Sequence, residues 1–96
     1  MEILVSYDVS TESEGGRKRL RKVAQACKDY GQRVQKSVFE CSVNDVQYER
    51  LKQRLLEYID EKEDSLRIYM LREPRAKYVE TFGVDLRIDF NDPLVL

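Results

Sequence analysis

The first segment of the chain, Met1 to Asp8, carries apolar side chains on both of its faces. Its short aliphatic run is followed by polar and glycine residues that favour a turn, which predicts a buried β-strand. Because side chains alternate between the two faces of a strand, Ile3 and Val5 point to one side and Leu4 to the other. Both faces of the sheet therefore need a cover, and this need restricts the folds open to the chain.

Two later segments show the spacing of amphipathic helices. The first follows Gly16, and Gly31 after it favours a left-handed helix end. The second follows Asn44, which can form a capping box with Gln47. The apolar stripes consist of Leu20, Val23, Ala24, Cys27 and Tyr30 in the first helix, and of Tyr48, Leu51, Leu55, Tyr58 and Ile59 in the second.

The remaining segments favour strands. Residues 33–43 are predicted to form a second strand and residues 66–72 a third, while residues 78–84 and 86–90 suggest further short strands. This order in about 96 residues predicts one α+β domain over 1–96, a ferredoxin-like βαββαβ sandwich with both helices on one face.

One layer of helices leaves the other face of this sheet uncovered, although that face is also apolar. Such a patch normally marks an interface, and twofold symmetry is the common solution for identical chains. We therefore expect a homodimer that packs sheet to sheet. The apolar C-terminal segment, residues 79–96, is expected to add a strand to the partner's sheet.

The sequence contains no histidine and only two cysteines, Cys27 and Cys41. Ser-His-Asp triads, Cys-His pairs and the usual zinc sites are thereby excluded. Any metal must use carboxylate and carbonyl oxygens, which favours magnesium, manganese or calcium. The cysteines are expected to be small buried hydrophobic residues without a disulfide. With no secretory leader and no apolar run near about 18 residues, we expect a cytoplasmic protein that does not enter a membrane.

Asp8 stands at the carboxyl end of the first strand. A carboxylate at such a rim is held rigidly and still reaches solvent, as a metal ligand or proton-transfer group requires. The alternative is that Asp8 only shapes the turn that follows. If a twofold axis passes near this strand end, two copies of Asp8 could hold one magnesium ion together with waters and a phosphate.

The net charge of −1 conceals a strong segregation of charge. Residues 15–36 contain eight basic residues and one acid, whereas the flanking segments are acidic. Arg17, Lys18 and Arg19 crowd the start of the first helix, where the macrodipole disfavours cations. This block indicates a phosphate-binding surface that contacts the backbone of a nucleic acid. A merely solvated helix face is the alternative.

Several of these segments together resemble one known family. They are YD at the end of the first strand, the basic RKRLRK helix, YGQRVQKSVFEC, DSLRIYML and the ending DFNDPLVL. The stretch RVQKSVFE after a glycine is the most specific. In these features the chain resembles CRISPR-associated protein 2, the small subunit of the CRISPR adaptation complex.

The resemblance implies a ferredoxin-like homodimer in which each C-terminal strand joins the partner's sheet. It also implies a metal-dependent endonuclease, acting on double-stranded DNA or single-stranded RNA with Mg2+, or with Mn2+ in its place. Asp8 is the implied metal ligand and catalytic residue, with Tyr7 beside it. The other matching positions are Arg17, Arg19 and Arg33 for nucleic acid, and Phe39 in support.

Other interpretations remain open for the same residues. Phe39 could be a core residue, and Arg33 could orient the Asp8 rim or meet a phosphate. The family resemblance also implies a non-catalytic role, as a dimeric DNA-binding scaffold that bridges subunits of the adaptation integrase. A toxin-type ribonuclease of the same fold would not explain the SVFE stretch.

Overall fold

The computed structural model describes residues 1–84, which form a four-stranded antiparallel sheet with helices. The strand order is β2-β3-β1-β4. This arrangement confirms the predicted βαββαβ order of a ferredoxin-like α+β fold. The elements are β1 (Glu2–Asp8), α1 (Glu14–Tyr30), β2 (Gly31–Gln35), β3 (Val38–Ser42), α2 (Asp45–Tyr58), β4 (Ser65–Leu71) and α3 (Arg75–Tyr78).

The core lies between one face of the sheet and the two long helices. Val5 on β1 pairs with Phe39 on β3 and with Ile68 on β4, so the aliphatic centre of β1 occupies the middle of the sheet. Val5 and Phe39 are completely buried, as are Val23 of α1 and Leu51 of α2. Burial of this apolar surface is the main contribution to the stability of the fold.

Both cysteines lie in this core as free thiols, as predicted. Burial raises the pKa of the Cys27 thiol to about 12 and that of Cys41 to about 11. Both thiols are therefore protonated near neutral pH and act as small apolar groups.

The predicted capping box at the start of α2 is present. The Asn44 side chain accepts a hydrogen bond from the backbone N–H of Gln47 at 2.8 Å, and the Gln47 side chain accepts one from the N–H of Asn44 at 2.9 Å. Two backbone donors that the helix leaves open are thereby satisfied.

The structure corrects the prediction of one continuous strand over residues 33–43. This segment is a hairpin of β2 and β3, joined by Lys36 and Ser37. The predicted left-handed helix end at Gly31 is also wrong, because Gly31 is extended and begins β2. Glycine is needed there for another reason: a Cβ atom would collide with the Glu40 carbonyl oxygen and with Sγ of Cys41.

The predicted strand at residues 78–84 is absent. The short helix α3 ends at Tyr78, and residues 79–84 form no strand. The strand predicted at 86–90 and the apolar chain end lie outside the described residues. Within residues 1–84, every helix is too short or too polar to cross a membrane.

The face of the sheet opposite α1 and α2, here termed the open face, carries apolar side chains as predicted. Leu4 of β1 pairs with Tyr69 of β4, and Tyr69 is 45% exposed. Val79 and Phe82 border a shallow groove on this face beside Leu4, yet Phe82 remains 84% exposed. In one chain, the residues described therefore leave much of this apolar surface in contact with water.

Replacing Gly31 by alanine should destabilise the fold. The new methyl group must displace β3 backbone and a core sulfur, and such overpacking costs about 1–3 kcal/mol. Urea unfolding at fixed protein concentration measures the loss. Gly15→Ala is the matched control, because a Cβ there meets only ordinary contacts and alanine favours a helix. Equal stability of the two variants would contradict the predicted collision.

Candidate functional site

The end of β1 is fixed by a buried carboxylate from a distant part of the chain. The Asp64 side chain, 0% exposed, accepts hydrogen bonds from the backbone N–H of Ser10 at 3.1 Å and of Asp60 at 2.8 Å. Arg19 of α1 donates to it from Nε at 2.8 Å. One carboxylate thus joins the loop after β1, the start of α1 and the turn before β4.

The charge of Asp64 is stabilised by the groups that surround it. The hydrogen bond from Arg19 lowers the pKa of Asp64, and the backbone donors of Asp60 and Ser10 lower it further. Burial opposes this shift. Arg19 also pairs with the more exposed Glu63 at 3.2 Å. The carboxylate is therefore ionised at neutral pH and bound on several sides.

The loop after β1 also packs closely on the first turn of α1. Ser13 caps the helix and accepts a hydrogen bond from the N–H of Gly16 at 3.0 Å. A Cβ atom on Gly16 would collide with the carbonyl group of Ser10. Gly16 is thus inside the helix and permits this contact, so the backbone beyond Asp8 follows a tightly constrained path.

Asp8 and Tyr7 lie on opposite sides of the sheet, because neighbouring residues of a strand alternate. The Asp8 side chain is exposed at the open-face end of β1. Tyr7 is 4% exposed and its ring stacks on Phe39 in the core, with centroids 6.3 Å apart. The structure does not bring these two side chains together as one pair, and a catalytic role for Tyr7 stays a prediction.

Three of the predicted site residues, Tyr7, Arg33 and Phe39, do form a cluster on the helix side. The Arg33 guanidinium lies 5.0 Å from the centre of the Phe39 ring. Phe39 is completely buried, which fits the core role that the sequence left open. Arg33 lies opposite Phe39 in the sheet register and not on the face of Asp8.

Two buried donors of this cluster have no hydrogen-bond partner among residues 1–84. They are the Tyr7 hydroxyl and Nε of Arg33. Burial raises the pKa of the Tyr7 phenol, and the nearby Arg33 only partly offsets that effect. The phenol therefore keeps its proton at neutral pH.

The three basic residues at the start of α1 differ in their surroundings. Arg17 and Lys18 are exposed, although Arg17 donates to the Thr11 carbonyl oxygen at 3.3 Å. Arg19 faces inward and is occupied by its ion pairs with Asp64 and Glu63. Arg17 and Lys18 are thus free to meet a phosphate, whereas Arg19 stabilises the fold; a contact of Arg19 with nucleic acid stays a prediction.

Sequence reasoning missed Asp64 and Arg75. Arg75 pairs with Glu2 at 3.0 Å and with Glu40 at 3.3 Å, and so binds the segment after β4 to the sheet. In the sequence, both residues resemble ordinary charged positions of turns. An acid within a polar turn carries no signal that its partner stands 45 residues away.

A complete metal site does not form within the described part of one chain, where no three carboxylate or cysteine side chains gather. Asp8 offers one exposed carboxylate. A divalent cation of the hard type takes six or more oxygen ligands, of which water can supply several. The described chain therefore supplies one carboxylate at this position, and a metal ion at Asp8 stays a prediction.

Comparison with known proteins points to one family. The family described as CRISPR associated protein Cas2 matches residues 1–79. A CRISPR-associated endoribonuclease Cas2 of Moorella thermoacetica is 72% identical over the full length of both chains. The crystal structure of Streptococcus pyogenes Cas2 at pH 6.5 has 57% identity and a TM-score of 0.78, covering 86% of this chain and 100% of that one. A partial Cas6-RT-Cas1–Cas2 complex contains a chain with 25% identity and a TM-score of 0.64, covering 99% and 98%.

Replacing Asp64 by asparagine should destabilise the protein. The change leaves Arg19 and two backbone donors without their charged acceptor, and a lost charge-assisted hydrogen bond at a buried group costs about 1–3 kcal/mol. Glu63→Gln is the matched control, because Glu63 contacts the same arginine from an exposed position and should contribute under about 1 kcal/mol. Chemical unfolding at constant protein concentration compares the two variants.

The same pair predicts a pH dependence. A carboxylate whose pKa is lowered by folding contributes stability above its unfolded pKa of about 4, and this stability is lost as the pH falls through the lower, folded pKa. Wild type should therefore lose more stability than Asp64→Asn as the pH is lowered below about 4. Parallel pH profiles would show that Asp64 does not carry this effect.

Proposed function

The chain belongs to the CRISPR-associated protein Cas2 family, and from this premise we propose that it is a metal-dependent endonuclease of the CRISPR adaptation system. The proposed reaction is hydrolysis of phosphodiester bonds in double-stranded DNA, single-stranded RNA or both. The observation that carries this proposal is the exposed Asp8 carboxylate at the end of β1. The chain just after this strand end is held by the hydrogen bonds of Asp64 with Ser10 and Arg19. A similar protein is named an endoribonuclease, which supports the nuclease class.

A second copy of the chain is part of the proposal. The open face presents Leu4 and the 45% exposed Tyr69, and the two long helices α1 and α2 cover only the other face. Packing two open faces together would remove this apolar surface from water, which favours association. Asp8 projects from the same face, so a twofold axis near the end of β1 would place two carboxylates beside each other.

Two Asp8 carboxylates with water and a substrate phosphate are a ligand set that suits Mg2+, and Mn2+ accepts the same oxygens. When bound there, such an ion supplies Lewis-acid polarisation of the phosphodiester and lowers the pKa of a nearby water. The protein's own contribution is to hold the carboxylates rigidly through β1. Arg17 and Lys18, exposed on α1, would bind flanking phosphates without reading the base sequence.

A non-catalytic scaffold is the second candidate function. The similarity to a chain of a partial Cas6-RT-Cas1–Cas2 complex extends over 99% of this chain, which favours assembly with a Cas1 integrase partner. The same exposed basic residues would then lie along DNA. A scaffold does not require the Asp8 carboxylate, since a carboxylate that faces DNA repels the phosphates. A substitution of Asp8 therefore distinguishes the nuclease function from the scaffold function.

Asp8→Asn should abolish metal-dependent cleavage and leave dimerisation intact, because the change removes a charge and preserves the shape. The assay follows duplex DNA and single-stranded RNA with magnesium and with a chelator. Glu61→Gln, an exposed acid in the turn before β4, is the matched control and should cleave like wild type. Equal activity of Asp8→Asn and wild type, or activity that survives the chelator, would rule out the proposed metal site at Asp8. Absence of cleavage by wild type would favour the scaffold function.

Arg17→Ser with Lys18→Ser should weaken binding of the duplex and reduce its salt dependence. Each lost phosphate contact makes the negative slope of log affinity against log salt shallower by about 0.9. Titration of labelled DNA at several salt concentrations measures this slope. Arg50→Ser, an exposed arginine of α2, is the control and should keep the wild-type slope. An unchanged slope in the double variant would exclude the α1 start from the DNA-binding surface.

A further inference from the structure

A second cavity lies on the helix side of the sheet, away from Asp8. It has a volume of about 510 Å³, which is on the scale of small-molecule sites. Its walls are α1 and the β2–β3 hairpin, with Tyr7 of β1 at the base, and we name it the α1–hairpin groove. Neither the exposed Asp8 nor the open face contributes to it.

The groove is strongly cationic. Arg21 and Lys28 of α1 stand on one side, and Arg33 and Lys36 of the hairpin on the other, with no acidic residue in its lining. The nearest acid along α1, Asp29, is bound by Gln25 and by Arg54. Four cations around one cavity repel each other, so an anion bound between them would be stabilised.

The base of the groove contains donors that lack acceptors. The hydroxyl of Tyr7, a residue 96% buried, lies near Arg33, but neither this hydroxyl nor Nε of Arg33 makes a hydrogen bond of good geometry among residues 1–84. A buried donor that lacks an acceptor loses its hydrogen bond to water without replacing it, which is destabilising. A ligand with several acceptor oxygens would satisfy such groups at the point where the positive charge is concentrated. The phenol stays protonated at neutral pH because burial raises its pKa, so it can donate.

The wall beside these donors is apolar. Leu20 and Ala24 line the groove and are only partly buried. A ligand that fits would therefore combine an anionic end with a flat or apolar body. Inorganic anions satisfy only the first of these requirements.

We propose that the α1–hairpin groove binds a nucleoside monophosphate, with the phosphate at Tyr7, Arg33 and the lysines and the nucleoside against Leu20 and Ala24. The same chemistry is available from a free nucleotide and from the phosphorylated end of a strand. The site lies on the opposite side of the sheet from Asp8. Binding at this groove requires no cleavage, so the proposal can be tested independently of the nuclease function.

The test is calorimetric titration of the whole chain with adenosine 5′-monophosphate, in the presence of a chelator so that no cleavage occurs. Adenosine and inorganic phosphate are titrated separately. We expect the nucleotide to bind at least about tenfold more tightly than either part, the equivalent of about 1.4 kcal/mol. No binding of the nucleotide, or equal binding of adenosine, would overturn the proposal.

Two variants locate the binding. Tyr7→Phe removes only a hydroxyl that makes no hydrogen bond of good geometry in the described chain, so the fold should keep its thermal stability while nucleotide affinity falls about fivefold to tenfold. Lys28→Ser with Lys36→Ser should weaken binding about tenfold or more at low salt. Lys52→Ser on α2, outside the groove, is the control and should bind as wild type does. Wild-type affinity in both groove variants would place the nucleotide elsewhere and overturn the proposal.

A last comparison separates the two sources of the phosphate. Short oligonucleotides with a 5′-phosphate and with a 5′-hydroxyl compete against labelled nucleotide. Stronger competition by the phosphorylated form, lost in Tyr7→Phe, identifies a strand end as the ligand. Competition by free nucleotide alone identifies a mononucleotide site. Equal competition by both oligonucleotides, unchanged in Tyr7→Phe, would contradict the proposal.

Discussion

The buried carboxylate of Asp64 is the interaction on which the geometry of this protein depends. It binds Arg19 and the backbone of Ser10 and Asp60, which belong to three different segments. Hydrophobic burial would bring β1, α1 and β4 together without it, because apolar packing is not directional. Directional hydrogen bonds to an ionised group add a fixed position for the chain leaving β1. Asp8 stands immediately before that point, so its placement follows from an ion pair in which it takes no part.

The elements with periodic patterns were predictable from the sequence, and the contacts between distant segments were not. The stripe through Val23 and the Asn44 capping box each depend on neighbours within one helix, where spacing determines contact. The β2–β3 hairpin was missed because Lys36 and Ser37 lack the glycine or asparagine that usually marks a two-residue turn. The Arg19–Asp64 pair joins residues 45 apart, and no local pattern encodes such a contact.

The candidate site was predictable only in part, because local positions follow from the sequence pattern and contacts between distant segments do not. The exposed position of Asp8 at a strand end was predictable because it is a local property, whereas its role as a metal ligand stays a prediction. Arg17, Lys18 and Arg19 were predicted as one group from their composition, whereas the structure turns Arg19 inward toward Asp64. Tyr7 and Asp8 were grouped because they are adjacent in the sequence. Neighbouring residues of a strand point to opposite faces, so the side chains of Tyr7 and Asp8 lie on different sides of the sheet.

That separation has a consequence for how the gene can change. Substitutions along β1 alter one face at a time, since Tyr7 belongs to the core and Asp8 to the open face. Loss or gain of a single codon within the strand is a different event, because a shift by one residue exchanges the faces of every side chain beyond it. A carboxylate would then enter the core and a phenol would meet water. The seven-residue strand β1 thus tolerates the replacement of single side chains far better than the insertion or deletion of a residue.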